Sequence, residues 1–209
     1  AARELAPAAG RSRQQVRSTM AFRFHGRRVI VWTDGSCFHN GHPHLSYAGL
    51  AVVFAPDNPF NIGEPLLGQA HSSPRAEVAA ILAAITVADF RMEIRTDHQP
   101  AVGVFQALVA GRTPRINHNT DLWECISARI RAQPSDHYVI QHVYGHSDDA
   151  SIASGLISPL DCRMNGLVDE EAKAAARRTA PPADLERAYV RHMELQDELH
   201  RMFINIFNA

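Results

Sequence analysis

With 209 residues, 45% of them hydrophobic and 21% charged, the chain has apolar material for one ordinary domain with extensions, and barely for two. A net charge of −1 gives no bulk signal for a nucleic-acid partner, and three scattered cysteines, Cys37, Cys125 and Cys162, exclude a disulfide framework and a cysteine-based zinc site. The cysteine usage leads us to expect an intracellular, reducing compartment, the nucleus and an organelle such as the mitochondrion both fitting it; no apolar run has the length of a membrane span and no signal-peptide core is visible.

Charge is distributed unevenly. Residues 1–28 carry Arg3, Arg11, Arg13, Arg17, Arg23, Arg27 and Arg28 against Glu4 alone. Residues 1–27, broken by Pro7 and Gly10, read as a basic, poorly packed extension. Its origin stays open between a tail, the remnant of an Arg-rich targeting segment and a linker from an upstream domain.

The ordered part opens on Val29-Ile30-Val31-Trp32-Thr33-Asp34-Gly35-Ser36-Cys37. Its β-branched and aromatic residues predict a first strand over 28–33. Gly35 is expected to end it, leaving Asp34 at the strand's mouth. Asn40-Gly41 marks a turn. Strands are predicted over Tyr47–Phe54 and Leu66–Ala70, a meander with the first. Ser72-Ser73-Pro74 supplies a cap and a helix start, and Val78, Ile81, Leu82 and Ile85 give helical spacing over Arg75–Ala88.

Met92–Thr96 reads as a fourth strand with Asp97 at its end. Helices are predicted over Pro100–Val109 and Asn119–Arg131, and a fifth strand over Tyr138–Val143. Residues 145–163 read as a Gly/Ser/Asp-rich loop, followed by a helix over Asn165–Arg178 that Pro181-Pro182 stops. The order β-β-β-α-β-α-α-β-α implies an α/β fold, a mixed sheet flanked by helices, over residues 28–180. Residues 181–209 add a C-terminal amphipathic helix with Leu185, Tyr189, His192, Gln196, Leu199, Phe203 and Ile206 on one stripe, which calls for a protein partner or self-association through 183–207.

Four acids stand where such a fold can gather them: Asp34 and Asp97 after β-rich strands that both finish in Thr-Asp, Glu77 at a helix start, and Asp169 early in a later helix. Each has an ordinary explanation alone, such as a turn for Asp34 or the helix dipole for Glu77. Clustered carboxylates repel, and either raise their pKa values or bind hard cations. Two Mg²⁺ ions would neutralise four acids and leave positions for water and phosphate oxygens, the chemistry of phosphodiester hydrolysis. His39, His42 and His44 share one turn without spaced partners and make a weak metal site. No Walker-type or dinucleotide-binding glycine motif occurs.

Thr33-Asp34-Gly35-Ser36-Cys37, Arg75-Ala76-Glu77, Thr96-Asp97, Gly145-His146-Ser147 and Asn165-Gly166-Leu167-Val168-Asp169, in that order across residues 28–178, resemble the type 1 ribonuclease H family. The resemblance implies a ribonuclease H-like fold with a five-stranded mixed sheet of strand order 3-2-1-4-5. It implies metal binding by Asp34, Glu77, Asp97 and Asp169 with two Mg²⁺ ions (Mn²⁺ as a substitute), and a role for His146 in proton transfer or product release. Substrate contacts are carried over to Ser36, Asn40, Ser73, Gln99 and Asn119, with Asn40 at a minor-groove position where 2′-hydroxyls distinguish RNA from DNA.

The chain also departs from the family. Ser73-Pro74 stands where the family often has Asn or Gln, and His98 and Pro100 follow Asp97. The segment before Asn165 is longer and carries Asp148, Asp149 and Asp161. Only Arg112 and Arg115 represent the basic region that some members place before Asn119. The expected function is a metal-dependent endonuclease that hydrolyses the RNA strand of RNA–DNA hybrids, giving 5′-phosphate and 3′-hydroxyl ends. The alternative is a non-catalytic structural or RNA-binding subunit of a larger assembly.

Overall fold

The computed structural model describes residues 22–42, 44–68, 70–145 and 147–208. A six-stranded mixed sheet forms the centre: β1 (Phe24–His25), β2 (Arg28–Phe38), β3 (Tyr47–Val53), β4 (Ile62–Pro65), β5 (Met92–Thr96) and β6 (Tyr138–His142). Its main path runs β4-β3-β2-β5-β6, with β1 pairing β2 beside that path. Without the short β1 this is the expected 3-2-1-4-5 order. The β2–β3 and β3–β4 pairs are antiparallel, while β5 lies parallel to both β2 and β6.

Helices cover both faces. On one, α1 (Ser73–Val87), α2 (Gln99–Val109) and α3 (Thr120–Arg131) bury Val31, Phe54, Ile81, Ile85, Ile94, Phe105, Trp123 and Ile126. On the other, α5 (Pro159–Arg177) packs Met164, Val168 and Ala172 against Ile30, Trp32, Ala51 and Val53. The period-2 alternation of β2 serves both cores: Ile30 and Trp32 go to α5, while Val29 and Val31 go to the three-helix side. A short α4 (Asp149–Ala153) precedes α5, and α6 (Ala183–Phe207) ends the described chain.

Four expectations need correction. Gly35 does not end the first strand, which runs on through Phe38. What requires glycine there is the approach of α1, since a Cβ on Gly35 would lie 2.2 Å from the Glu77 backbone nitrogen. The third strand is Ile62–Pro65, not Leu66–Ala70. Poor β-formers are tolerated in it because it is an edge strand, paired only to Gly49–Val52.

The 145–163 stretch holds a helical turn, and α5 begins six residues before Asn165. Ser158 caps it, its Oγ accepting from the Asp161 N–H, and Pro159 occupies the first turn. The poorly packed extension does not reach residue 27. Phe22 packs edge-on against Phe54 and Phe90, and β1 pairs with the start of β2. The earlier residues 1–21 lie outside the described residues. Helix α6 has no fully buried residue.

Candidate active site

Sheet register explains the two Thr-Asp strand ends. Trp32 of β2 lies level with Arg95 of the parallel neighbour β5. Two residues further on, the same register sets Asp34 level with Asp97. Asp34 is thus not at a strand mouth. It lies within β2, opposite Ala51 of β3, and is buried. Glu77 arrives from α1. Its helix starts at Ser73 under the Ser72 cap, so Glu77 belongs to the second turn and the helix dipole does not account for it.

Oxygens of Asp34, Glu77 and Asp97 all lie within 4.8 Å of one another. Asp34 and Glu77 are buried and Asp97 is half-buried. Burial is the largest cause that raises the Asp34 carboxyl from 3.8 to about 7, and the charges of Asp97 and Asp169 add to it. Hydrogen bonds from the Gly35 backbone and from Glu77 act in the opposite direction. Glu77 is pushed well above the usual carboxylate range, first by burial, then by the charges of Asp34 and Asp97 and by its hydrogen bond to Asp34. Burial and mutual repulsion therefore favour the protonated form of both carboxyls over a pair of negative charges.

Asp169 lies in mid-helix on α5 rather than early in it. Its charge reaches Asp34, but it stands outside the 4.8 Å triad and its Oδ2 accepts from Lys173 Nζ at 2.6 Å. His146 lies outside the described residues. Its neighbour Gly145 lies tight against the site: a Cβ there would be 2.2 Å from Asp97 Oδ2.

The expected substrate residues ring this centre unevenly. Ser36 is half-buried on β2, two residues beyond Asp34. Asn40 and Ser73 are joined, the Ser73 backbone N–H donating to Asn40 Oδ1 at 3.2 Å. Gln99 opens α2 and is exposed, with its backbone N–H on the Asp97 carbonyl. Asn119, with left-handed backbone (φ 55°), caps α3. Its Oδ1 accepts from Arg75 at 3.4 Å, and the same guanidinium grips Asp121 with two nitrogens.

Reading the sequence missed that role of Arg75. Its place before Ala76-Glu77 was visible, but nothing local linked it to residues 119–121. Also missed was His142, whose Nε2 lies 3.2 Å from the Asp97 carbonyl oxygen. Asp148 and Asp161, two of the extra acids, are occupied elsewhere. Asp148 caps α4. Asp161 binds Arg95 and accepts from Trp32 Nε1 at 3.0 Å.

The donor set fits a hard cation. It is all oxygen, its members are within reach of one ion at the ~2.0–2.6 Å distances of Mg²⁺ or Ca²⁺ ligands, and Glu77 Oε2 is buried with no hydrogen-bond partner among the described residues. A buried carboxylate oxygen left without a donor costs roughly 1–3 kcal/mol or more, which a bound cation offsets.

Comparison with known proteins places this arrangement. Ribonuclease H1 of Rattus norvegicus is 41% identical over 68 residues, which is 32% of this chain and 23% of the relative. Ribonuclease H of Schizosaccharomyces pombe is 39% identical over 70 residues, 34% of this chain and 26% of the relative. The matches thus span about a quarter of those relatives' length. A solved structure of LC11-RNase H1 in complex with an RNA/DNA hybrid overlaps 71% of this chain and 96% of its own, at 16% identity and a TM-score of 0.45. The family model of RNase H matches residues 26–177, from the turn before β2 to the end of α5. By that match the chain belongs to the ribonuclease H family.

Proposed function

We propose that the chain is a metal-dependent endonuclease that hydrolyses the RNA strand of RNA–DNA hybrids, leaving 5′-phosphate and 3′-hydroxyl ends. The observation that carries this reading is the triad, two buried carboxyls and a third half-buried one drawn together at energetic cost, with Glu77 Oε2 unsatisfied among the described residues. A scaffold has no use for that arrangement, which tells against the non-catalytic alternative.

Asp34, Glu77 and Asp97 would hold divalent cations, two Mg²⁺ on this reading, with Asp169 contributing from α5. Such ions supply charge neutralisation at the phosphate and an activated water. The chain's own residues do the rest. Asp34 would serve as a ligand in its ionised form, since a cation would offset both the burial and the charges of Asp97 and Asp169 that raise its carboxyl. The Gly35 backbone N–H holds the carboxyl in place. Asn40, braced by Ser73, and Ser36, Gln99 and Asn119 line the approach and orient the hybrid, with Asn40 reading 2′-hydroxyls. His146 assists proton transfer or product release.

The test is cleavage of an end-labelled hybrid against single-stranded RNA, duplex RNA and duplex DNA in Mg²⁺, beside Asp97→Asn. The reading predicts cuts confined to the RNA of the hybrid, ends that polynucleotide ligation identifies as 5′-phosphate, and loss of cleavage in the variant. Absence of cleavage by the unmodified chain across salt and metal concentrations would overturn it in favour of a binding subunit.

A further inference from the structure

Helix α6 leans on its domain only through its first turns. Glu186, Tyr189 and Met193 are half-buried, and they share one face. Glu186 pairs with His39 Nε2 at 2.6 Å, and the Tyr189 ring meets His42 edge-on. Beyond Met193 every described residue of the helix is exposed, Leu195, Leu199, Met202 and Ile206 at 49–61%.

Those four continue a strict repeat. Leu185, Ala188, His192, Leu195, Leu199, Met202 and Ile206 alternate spacings of three and four, the a and d positions of a coiled coil over three heptads. The a/d seam lies beside the face that touches the domain and is left open. The flanking charges select the occupant. Taking Leu185 as position a, the g positions are Asp184, Arg191, Glu198 and Asn205, and the e positions are Tyr189, Gln196 and Phe203. In a parallel pair g faces e, which sets Arg191 against Gln196 and Glu198 against Phe203, with no ion pair.

In an antiparallel pair g faces g. Stacking Leu185 on Met202, Ala188 on Leu199 and His192 on Leu195 of a second copy brings Arg191 opposite Glu198, twice by symmetry. One register therefore satisfies both the apolar layers and the charges, and it does so with a copy of itself, as a two-fold interface requires.

We infer that α6 is the dimerisation element of this protein, closing an antiparallel two-stranded coiled coil with a second copy of the chain, with Arg191–Glu198 pairs setting its direction. The dyad lies between His192 and Leu195. In this register the seam runs from Leu185 to Met202, about 26 Å of helix at 1.5 Å per residue. This inference stands on α6 alone and does not depend on the proposed nuclease activity.

The experiment is sedimentation equilibrium of the full-length chain and of three variants, Arg191→Glu, Glu198→Arg and the double exchange. Far-ultraviolet circular dichroism serves as the fold control. The unmodified chain is expected to be a concentration-dependent dimer. Either single reversal sets like charges face to face on both sides of the dyad and should weaken dimerisation roughly tenfold or more, and the double exchange should restore it. A monomer at all concentrations would overturn the inference and leave the seam to a different protein. A dimer indifferent to both single reversals would overturn the antiparallel register.

Discussion

Asp34 shows how far its surroundings alter a residue's chemistry. Its carboxyl is raised from 3.8 to about 7. Between those values the folded chain binds a proton that the unfolded chain has released. Without divalent ions, stability is therefore fully present below about pH 4 as far as this group is concerned, and is lost as pH rises through about 7. At about 1.4 kcal/mol per unit the effect amounts to a few kcal/mol. Asp34→Asn removes it. Thermal unfolding at pH 8 in chelator should show the variant more stable than the parent, with the gap narrowing toward pH 5. A parent as stable as the variant at pH 8 would contradict the burial and repulsion described.

Gly145 gives a second test at the same scale. A methyl group there meets the far end of Asp97, a side chain that can rotate away, so Gly145→Ala should leave the melting temperature within a few degrees while cutting cleavage at least about tenfold. Gly35→Ala instead meets the α1 backbone and should destabilise by about 1–3 kcal/mol or more. Neither requirement could be read from the sequence, because both arise where distant segments touch. The Thr-Asp pairs at 33–34 and 96–97 were legible, since each ends an apolar run, but the register that levels them needed the parallel pairing.

At the scale of elements, α5 and β5 are tied by an ion network. Arg95 holds Glu93 through Nε and a second nitrogen, reaches Asp161, and lies over the Trp32 ring at 5.5 Å. The side chains of Arg95, Glu93 and Asp161 are all largely buried, at 14%, 3% and 13% exposure. The tie joins the strand before Asp97 to the helix that carries Asp169. Asp161→Asn strips Arg95 of one partner while keeping a hydrogen-bond acceptor, and chemical denaturation should register a loss of about 1–3 kcal/mol. No loss would mean that water replaces the contact.

Asp161 looked like one more loop acid because the start of α5 was placed at Asn165. Ser158-Pro159 carried the proper start signal, a cap followed by proline, but the polar run after it hid the helix. The third strand was misplaced for the opposite reason. Leu66–Ala70 is the more apolar stretch, yet edge pairing by Ile62–Pro65 needs no apolar content.

For the molecule as a whole, element order was enough for a mixed sheet flanked by helices, while its strand order came from the resemblance to the ribonuclease H family. Partnering was less visible. The apolar stripe of α6 was clear in the sequence, but its exposure beyond Met193 was not. Charge acts at this scale too. Arg3, Arg11, Arg13 and Arg17 precede the described fold, while Arg112 and Arg115 are exposed between α2 and α3. Removing residues 1–21 should weaken hybrid binding and reduce the slope of log affinity against log salt by about 1–3. An unchanged slope would show that those arginines do not meet phosphates.

The central claim is that a carboxylate cluster centred on Asp34 holds the divalent ions needed to cut RNA in a hybrid. Single-turnover cleavage of a hybrid by Asp34→Asn, at saturating Mg²⁺ beside the unmodified chain, tests it most directly. The variant is expected to stay folded while its rate falls by about 10³-fold or more. A folded variant that cleaves at the unmodified rate would contradict it.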